Sequence, residues 1–187
     1  EHKQVDFFVL KGALEALFEK LSVADRITYV AAKVDGMHPG RTADILLDGE
    51  RIGFLGQLHP QEQKNLGVKD TFVAEFNLAQ VLAADIAPLQ YVAVPRFPSI
   101  SRDIALVVDR TTTAASLEEI ITAAGGKLLK AVNVFDVYEG DHMEAGKKSI
   151  AFSLTYFDSE RTLTDEDVTA VHDKVVAALQ ENGVTLR

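Results

Sequence analysis

The most informative absence in this 187-residue sequence is that of cysteine, of which there is none. Disulfides, thiolate nucleophiles and cysteine-ligated zinc or iron–sulfur centres are thereby excluded. No apolar run is long enough to span a bilayer, and no signal peptide is recognisable. No Ser-His-Asp order, phosphate loop or dinucleotide fingerprint stands out either. The sequence therefore predicts a cytoplasmic protein of one or two domains, without catalytic residues, a metal site or a membrane contact.

A strong positive charge is also missing. The formal net charge is −9, and no long basic run is present. Because phosphate neutralisation supplies most non-specific nucleic-acid binding, this balance argues against a general RNA or DNA coat. It leaves open a local contact that reads unpaired bases through stacking and hydrogen bonds.

Residues 102–187 have the hydrophobic pattern of strand, helix, strand, strand, helix and a short strand over 184–187. In the strands predicted over 102–109, 128–139 and 147–157, side chains alternate between two faces. The apolar face comprises Ile104, Leu106, Val108, Leu129, Ala131, Phe135, Val137, Ile150, Phe152, Leu154 and Tyr156, with Asn133 as its one polar member. The other face comprises Asp103, Ala105, Val107, Lys130, Val132, Val134, Asp136, Tyr138, Ser149, Ala151, Ser153 and Thr155.

Two predicted helices provide the cover for the apolar face. The first follows the threonines at 111–113, whose hydroxyls suit an N-cap, and ends at the glycine pair 125–126. The second begins at Thr164, where acidic residues suit the positive end of the helix dipole, and ends at 182–183. The order βαββαβ predicts a ferredoxin-like sandwich, whose helices leave the second face of the sheet open. Small polar groups around one tyrosine on that face favour ligand binding over packing.

The first half predicts an antiparallel sheet with a helix packed on it. Asp48-Gly49, between two alternating segments, is a strong hairpin signal. The predicted elements are a helix over 6–21, strands over 27–34, 42–47, 51–58 and 71–77, and a short helix over 60–66. The fold class is therefore α+β. An antiparallel-sheet segment is expected over 1–88, a linker over 89–94 and the ferredoxin-like sandwich over 95–187.

Histidines raise a metal hypothesis in the first half. His38 and His59 each precede a proline, and Asp35 or Glu62 would be a third ligand. Neither histidine belongs to a helical His-x-x-x-His pair, so the favoured interpretation is that both stabilise turns. His172, in the second predicted helix of the sandwich, is expected on a charged and solvated helix face.

Four segments of the second half carry a resemblance to a known family: Phe97–Asp103, Phe135–Gly140, Lys147–Ser149 and Arg161–Asp165. Together they resemble the ferredoxin-fold anticodon-binding domain that closes the beta subunit of bacterial phenylalanyl-tRNA synthetases. In the first half, His38–Ala43 and Gly53–Pro60 are similar to the preceding, catalytic-like module of that subunit. The family's module has a class II synthetase sheet but no aminoacylation chemistry.

The resemblance implies an RNA site on the open face. Asp136 and Tyr138 would face the anticodon loop, with Ser149 beside them on the next strand. Tyr138 would stack on an unpaired base, a contact worth about 1–3 kcal/mol. Asp136 would accept a hydrogen bond from a guanine edge, and Ser149 would bond to a base or sugar. Weaker candidates for phosphate contacts are Lys147, Lys148 and Arg161. The alternatives are an ordinary strand tyrosine partly covered by a neighbour, and lysines solvated at a strand entry.

The resemblance also implies the partners and the chemistry of a whole enzyme. The chain would recognise tRNA(Phe) and pair with the alpha subunit, in a holoenzyme of two alpha and two beta subunits that uses ATP and magnesium. No cofactor is expected in this segment, because Gly53–Gly56 is followed by Gln57–His59 and not by the arginine with which class II enzymes contact ATP. The competing hypothesis is a ferredoxin-like ligand-sensing or assembly domain without RNA binding, since that fold hosts many functions.

Overall fold

The computed structural model describes residues 5–86, 91, 94–140 and 143–187. Contacts along the chain divide it into two compact units, residues 1–90 and 91–187. The predicted linker, 89–94, lies outside the described residues except for Tyr91 and Val94. Within the described ranges, no helix combines the length and the apolarity needed to cross a membrane.

The first unit is a four-stranded antiparallel sheet with helix α1 packed against it. Its elements are α1 (Phe7–Lys20), β1 (Ile27–Ala31), β2 (Met37–Leu47), β3 (Glu50–Leu58), α2 (Pro60–Leu66), β4 (Phe72–Phe76) and α3 (Leu78–Leu82). The strand order is β1-β2-β3-β4, with every neighbouring pair antiparallel. Leu14 and Phe18 of α1 join Ile45 and Leu55 of the sheet in one apolar cluster. Helix α3 is an element that the sequence analysis did not predict.

The β2–β3 hairpin turns at the predicted pair Asp48-Gly49. Both residues have left-handed backbone angles, with φ of 51° and 83°, as a two-residue turn matched to the twist of the strands requires. Gly53 on β3 serves a different purpose, because a Cβ atom there would lie 2.1 Å from the carbonyl oxygen of Glu75 on β4. The close approach of β3 and β4 therefore accounts for the glycine at position 53, and no contact with a nucleotide is needed to explain it.

The second unit has the predicted βαββαβ order. Its elements are β5 (Ile100–Asp109), α4 (Ala114–Gly125), β6 (Leu129–Tyr138), β7 (Lys147–Tyr156), α5 (Asp165–Glu181) and β8 (Thr185–Leu186). The strand order is β6-β7-β5-β8, and all neighbours are antiparallel. Each helix thus links two strands that have a third strand between them, which is the ferredoxin-like arrangement.

The helices of the second unit begin where the sequence predicted. Thr113 caps α4 through its hydroxyl, which accepts from the backbone N–H of Ser116 at 3.2 Å. Thr164 caps α5 in a reciprocal capping box, in which the Asp167 carboxylate accepts from the backbone N–H of Thr164 at 3.0 Å. Local side-chain chemistry therefore determines both helix starts.

Both helices pack on the same face of the second sheet. Leu117 and Ile121 of α4, together with Val175 and Leu179 of α5, belong to one buried cluster with the sheet. The strand residues of that cluster are Ile104, Leu106, Val108, Ile150, Phe152, Leu154 and Tyr156. The apolar face predicted for β5 and β7 is therefore confirmed, and the opposite side of the sheet faces away from the helices.

The faces predicted for β6 are partly wrong, because the strand has two bulges. Its pairing with β7 shifts between Leu129 and Ala131 and again between Val134 and Asp136. The first bulge inverts the alternation and the second restores it. Val132 and Val134 therefore lie opposite Leu154 and Phe152 on the helix side, whereas Ala131 and Asn133 lie on the other side. Phe135 and Val137, predicted to be buried, are 59% and 52% exposed.

His172 is not the solvated residue that its charged helix suggested. Its Nδ1 atom lies 3.1 Å from the hydroxyl oxygen of Tyr156, which is fully buried. Burial raises the pKa of Tyr156 to about 12, so the hydroxyl keeps its proton and can donate a hydrogen bond to Nδ1 of His172 when the ring carries its own hydrogen on Nε2. Burial also lowers the pKa of His172, which favours the neutral ring that can accept this hydrogen bond.

Candidate nucleic-acid interface

The open face is the side of the second sheet that faces away from α4 and α5. Residues paired across neighbouring strands share a face, so the register defines its members. Four rows run from β6 through β7 to β5: Tyr138, Ser149 and Val107; Asp136, Ala151 and Ala105; Asn133, Ser153 and Asp103; and Ala131, Thr155 and Ser101. On the β8 side the face continues with Thr185, which pairs with Val107, and with Arg187, whose backbone N–H donates to the carbonyl of Ala105 at 2.9 Å.

The three strongest candidates from the sequence come together on the open face. Tyr138 on β6 lies directly opposite Ser149 on β7, and Asp136 lies two residues before Tyr138. Asp136 is exposed and Tyr138 is half-buried, so both are accessible to a ligand. Ser149 is only 4% exposed and therefore presents little surface.

The ring of Tyr138 has two close neighbours on the open face. Its hydroxyl end packs over Gly140, where an added Cβ atom would lie 2.4 Å from the Tyr138 oxygen. The guanidinium carbon of Arg187 lies 6.0 Å from the ring centroid, at the outer limit of a cation–π contact. The strands that carry Tyr138 and Arg187 are at opposite edges of the sheet, roughly 14 Å apart at normal strand spacing. The two side chains must therefore approach each other above the central strands.

The lysines predicted to contact phosphate are less well placed. Lys147 lies on the open face, but its ammonium group pairs with Asp109 at 2.8 Å. That hydrogen bond raises the pKa of Lys147. Lys148 pairs in register with Val108, a member of the buried cluster, so it points to the helix side of the sheet. The open face therefore has one of the two lysines, and that one is already in an ion pair.

Arg161 does not belong to the open face. Its guanidinium bonds to the Asp167 carboxylate through two nitrogens, at 2.6 and 2.9 Å. The same carboxylate forms the α5 capping box, and the bond to Arg161 holds its pKa well below the ordinary range. Arg161 follows Tyr156 in the chain, and Tyr156 lies about 23 Å from Ser149 along β7. Its position and contacts indicate that Arg161 stabilises the start of the helix.

The sequence analysis did not assign Asn133, Gly140 or Arg187 to this face. Asn133 was missed because the bulges of β6 cannot be seen in a simple alternation. Gly140 ends the family-like segment that begins at Phe135, but its contact with Tyr138 needs the folded chain. Arg187 ends the short strand predicted over 184–187, and only the sheet order brings it toward β6.

His38 and His59 of the first unit have structural roles. His38 accepts a hydrogen bond from the backbone N–H of Gly40 at 3.1 Å, and His59 accepts one from Gln61 at 3.2 Å. Both bonds use the Nδ1 atom and close a local turn. Among the residues with described coordinates, no group of three or more potential metal ligands is found.

Comparison with known proteins assigns each unit to a family of domains. Residues 95–187 match the family described as the ferredoxin-fold anticodon binding domain. Residues 1–78 match the phenylalanyl tRNA synthetase beta chain CLM domain. The second unit is therefore an anticodon-binding domain of ferredoxin fold, and its open face is the candidate RNA surface.

Similar proteins agree with both matches. The chain is 58% identical over its whole length to the phenylalanine–tRNA ligase beta subunit of Bacillus cereus. It is 57% identical over 97% of its length to that of Bacillus subtilis, and 52% identical over its whole length to that of Geobacillus kaustophilus. The chain belongs to the phenylalanyl-tRNA synthetase beta-chain family. It spans 22–23% of the length of these relatives.

Proposed function

We propose that the open face of the second unit reads the anticodon of tRNA(Phe). Tyr138 stacks on an unpaired base, and Asp136 accepts hydrogen bonds from the edge of that base. The observation that supports this most is that both side chains project from the same face of β6, away from the two helices. An aromatic ring beside a hydrogen-bonding group is what the recognition of a splayed base requires.

The spacing of the two side chains suits one nucleotide. Residues two apart on a strand are about 7 Å from each other, which is close to the width of a base. A base that stacks on Tyr138 therefore has its polar edge within reach of Asp136. Stacking of this kind contributes about 1–3 kcal/mol per base.

The chemistry of Asp136 favours one class of base edge. An ionised carboxylate only accepts hydrogen bonds, so it needs a donor edge on the base. The Watson–Crick edge of guanine has two adjacent donors, N1–H and the N2 amine, which match the two oxygens of a carboxylate. The Asp136 carboxylate forms no hydrogen bond or ion pair with another described side chain and so remains available. We assign it the discrimination of the first anticodon base.

Contacts with the phosphates of the RNA have a secondary role at this face, because little positive charge is available there. The chain has a net charge of −9, and Lys147 is paired with Asp109. Few cations are left for counterion release, so stacking and hydrogen bonds carry most of the affinity. Ser149 contributes through its small exposed part to a base or sugar. Lys148 and Arg161 are the least favoured members of the proposed site.

The remaining proposals concern the whole protein. The relatives are beta subunits of a ligase, so we propose that this chain acts with an alpha subunit, in an assembly of two alpha and two beta subunits. ATP and magnesium are used elsewhere in that assembly. The antiparallel sheet of the first unit is proposed to be class II synthetase-like, with domain bounds at 1–88 and 95–187 and a linker over 89–94. A cytoplasmic location is part of the same proposal.

The direct test is a titration of tRNA(Phe) transcripts into the assembled ligase. Tyr138→Ala should lower affinity by about 5- to 150-fold, which corresponds to the loss of one stacking contact. Asp136→Asn should reduce the preference for guanine at the first anticodon position more than it reduces overall affinity. The transcripts differ at that one base.

Matched controls separate the site from its surroundings. Val134→Ala shortens an apolar side chain of the same strand that pairs in register with Phe152 on the helix side of the sheet, and it should leave binding unchanged. Asp173→Asn removes an exposed carboxylate from α5 and should leave base preference unchanged. Unaltered affinity for Tyr138→Ala together with unaltered base preference for Asp136→Asn would refute the site.

A further inference from the structure

Gly140 follows the Phe-Asp-Val-Tyr segment and lies just after the end of β6. A Cβ atom added to it would lie 2.4 Å from the Tyr138 oxygen, 2.6 Å from Cζ and 3.2 Å from Cε1. Contacts below 3 Å are not compatible with the position of the ring. Any residue other than glycine would therefore force the tyrosine ring to move.

The backbone does not explain the glycine. Six glycines have positive φ angles, at positions 36, 49, 67, 126, 146 and 183, and Gly140 is not one of them. An alanine at 140 thus meets no left-handed backbone strain. The three heavy atoms nearest to the added Cβ atom all belong to the side chain of Tyr138.

We propose that Gly140 is a positioning residue for Tyr138, which keeps the ring in the orientation in which it stacks on an anticodon base. This inference rests on the proposed function of the open face. With Gly140 on one side and the Arg187 guanidinium 6.0 Å from its centroid, the ring is held before RNA arrives. A platform that is already oriented loses less conformational freedom on binding. The role is indirect, because Gly140 itself needs no contact with RNA.

The consequence is a separation of stability from binding. The clashing atoms are the far end of one side chain, so the ring can rotate away, and the fold does not have to change. Gly140→Ala also restricts the unfolded chain, which offsets part of any cost. The assembled ligase with Gly140→Ala should therefore keep its melting temperature and lose affinity for tRNA(Phe). We expect a loss of at least about 3-fold and no larger than that of Tyr138→Ala, about 5- to 150-fold.

A double-mutant cycle distinguishes positioning from a general disturbance. If Gly140 acts through the ring, Gly140→Ala should change affinity by less than about 2-fold in a Tyr138→Ala background. Gly12→Ala is the control substitution, because an added Cβ atom there has nothing within 4 Å. It should leave tRNA affinity unchanged. A crystal structure of the Gly140→Ala ligase should have the Tyr138 ring rotated from its original position.

Each outcome has a distinct meaning. If Tyr138→Ala leaves affinity unchanged, the proposed function fails, and this inference fails with it. If Tyr138→Ala weakens binding but Gly140→Ala does not, only the positioning role is overturned. Equal losses from Gly140→Ala with and without the tyrosine would also overturn it, as would an unmoved ring in the crystal structure. A fall in the melting temperature of the Gly140→Ala ligase would overturn the separation of stability from binding, because more than the orientation of the ring would then have changed.

Discussion

The buried hydrogen bond between Tyr156 and His172 gives a quantitative test of the second unit. The proposed change is Tyr156→Phe, which removes the hydroxyl and keeps the ring. Tyr156 is fully buried at the end of β7, and its oxygen lies 3.1 Å from Nδ1 of His172 on α5. The hydroxyl keeps its proton, because burial raises the pKa of Tyr156 to about 12, and it donates to Nδ1 of the neutral His172 ring in the tautomer that carries its hydrogen on Nε2. The substitution therefore deletes one strand-to-helix bond and leaves the apolar packing intact.

The size of the effect follows from the burial of the two partners. A net hydrogen bond is worth about 0.5–1.5 kcal/mol. His172 is half-buried, so water can partly satisfy its nitrogen in the variant, and we expect about 1 kcal/mol at pH 8. For a domain of this size, that loss corresponds to a fall of about 4–8 °C in melting temperature.

The effect should depend on pH. Burial lowers the pKa of His172 from its ordinary value of 6.5. The neutral ring accepts from Tyr156, whereas the protonated ring only donates. Because burial lowers the pKa of His172, the native protein should have its full stability above pH 6.5 and lose part of it as the pH falls through the lowered pKa of the folded state, where the ring is protonated and the hydroxyl can no longer donate to it. The cost of Tyr156→Phe should consequently be larger at pH 8 than at pH 5.

Urea unfolding of the 187-residue chain, followed by circular dichroism at both pH values, measures these differences. Tyr91→Phe is the matched control, because Tyr91 is 89% exposed and its hydroxyl is solvated. The control should change the free energy of unfolding by less than about 0.5 kcal/mol. An equal cost of Tyr156→Phe at pH 8 and pH 5, or a cost no larger than that of the control, would refute the assignment.

Two further predictions concern ligands. Arg187 has no ion pair with the described carboxylates, so its guanidinium is available to a phosphate of the RNA. Arg187→Gln should therefore reduce the magnitude of the slope of log affinity for tRNA(Phe) against log salt by about 0.7, the value for one phosphate of a single strand. Lys148→Gln, on the helix side, should leave that slope unchanged in the same titration. The chain should also bind no ATP, because Gln57-Leu58-His59, at the end of β3 and just after it, stand where a class II site needs an arginine. Saturation in calorimetry with ATP and magnesium would contradict this.

Much of the fold could be predicted because the signals are local. Thr113 and Thr164 cap helices through bonds to residues three positions away. Asp48-Gly49 adopts the backbone angles that a two-residue hairpin turn requires. Strand β7 alternates without interruption, so its buried and open faces follow directly from the order of its residues.

The sequence by itself determined these local features. Its family-like segments also indicated Asp136, Tyr138 and Ser149 as candidate site residues. Tertiary structure alone decided the rest of the face, because each remaining feature depends on residues far apart in the chain. The bulges of β6 arise from its pairing with β7, and they bring Asn133 onto the open face. Arg187 approaches Tyr138 because β8 pairs with β5 at the other side of the same sheet. The alternation of side chains within one strand does not specify its register with the neighbouring strands. That register determines which side chains can contact the same base.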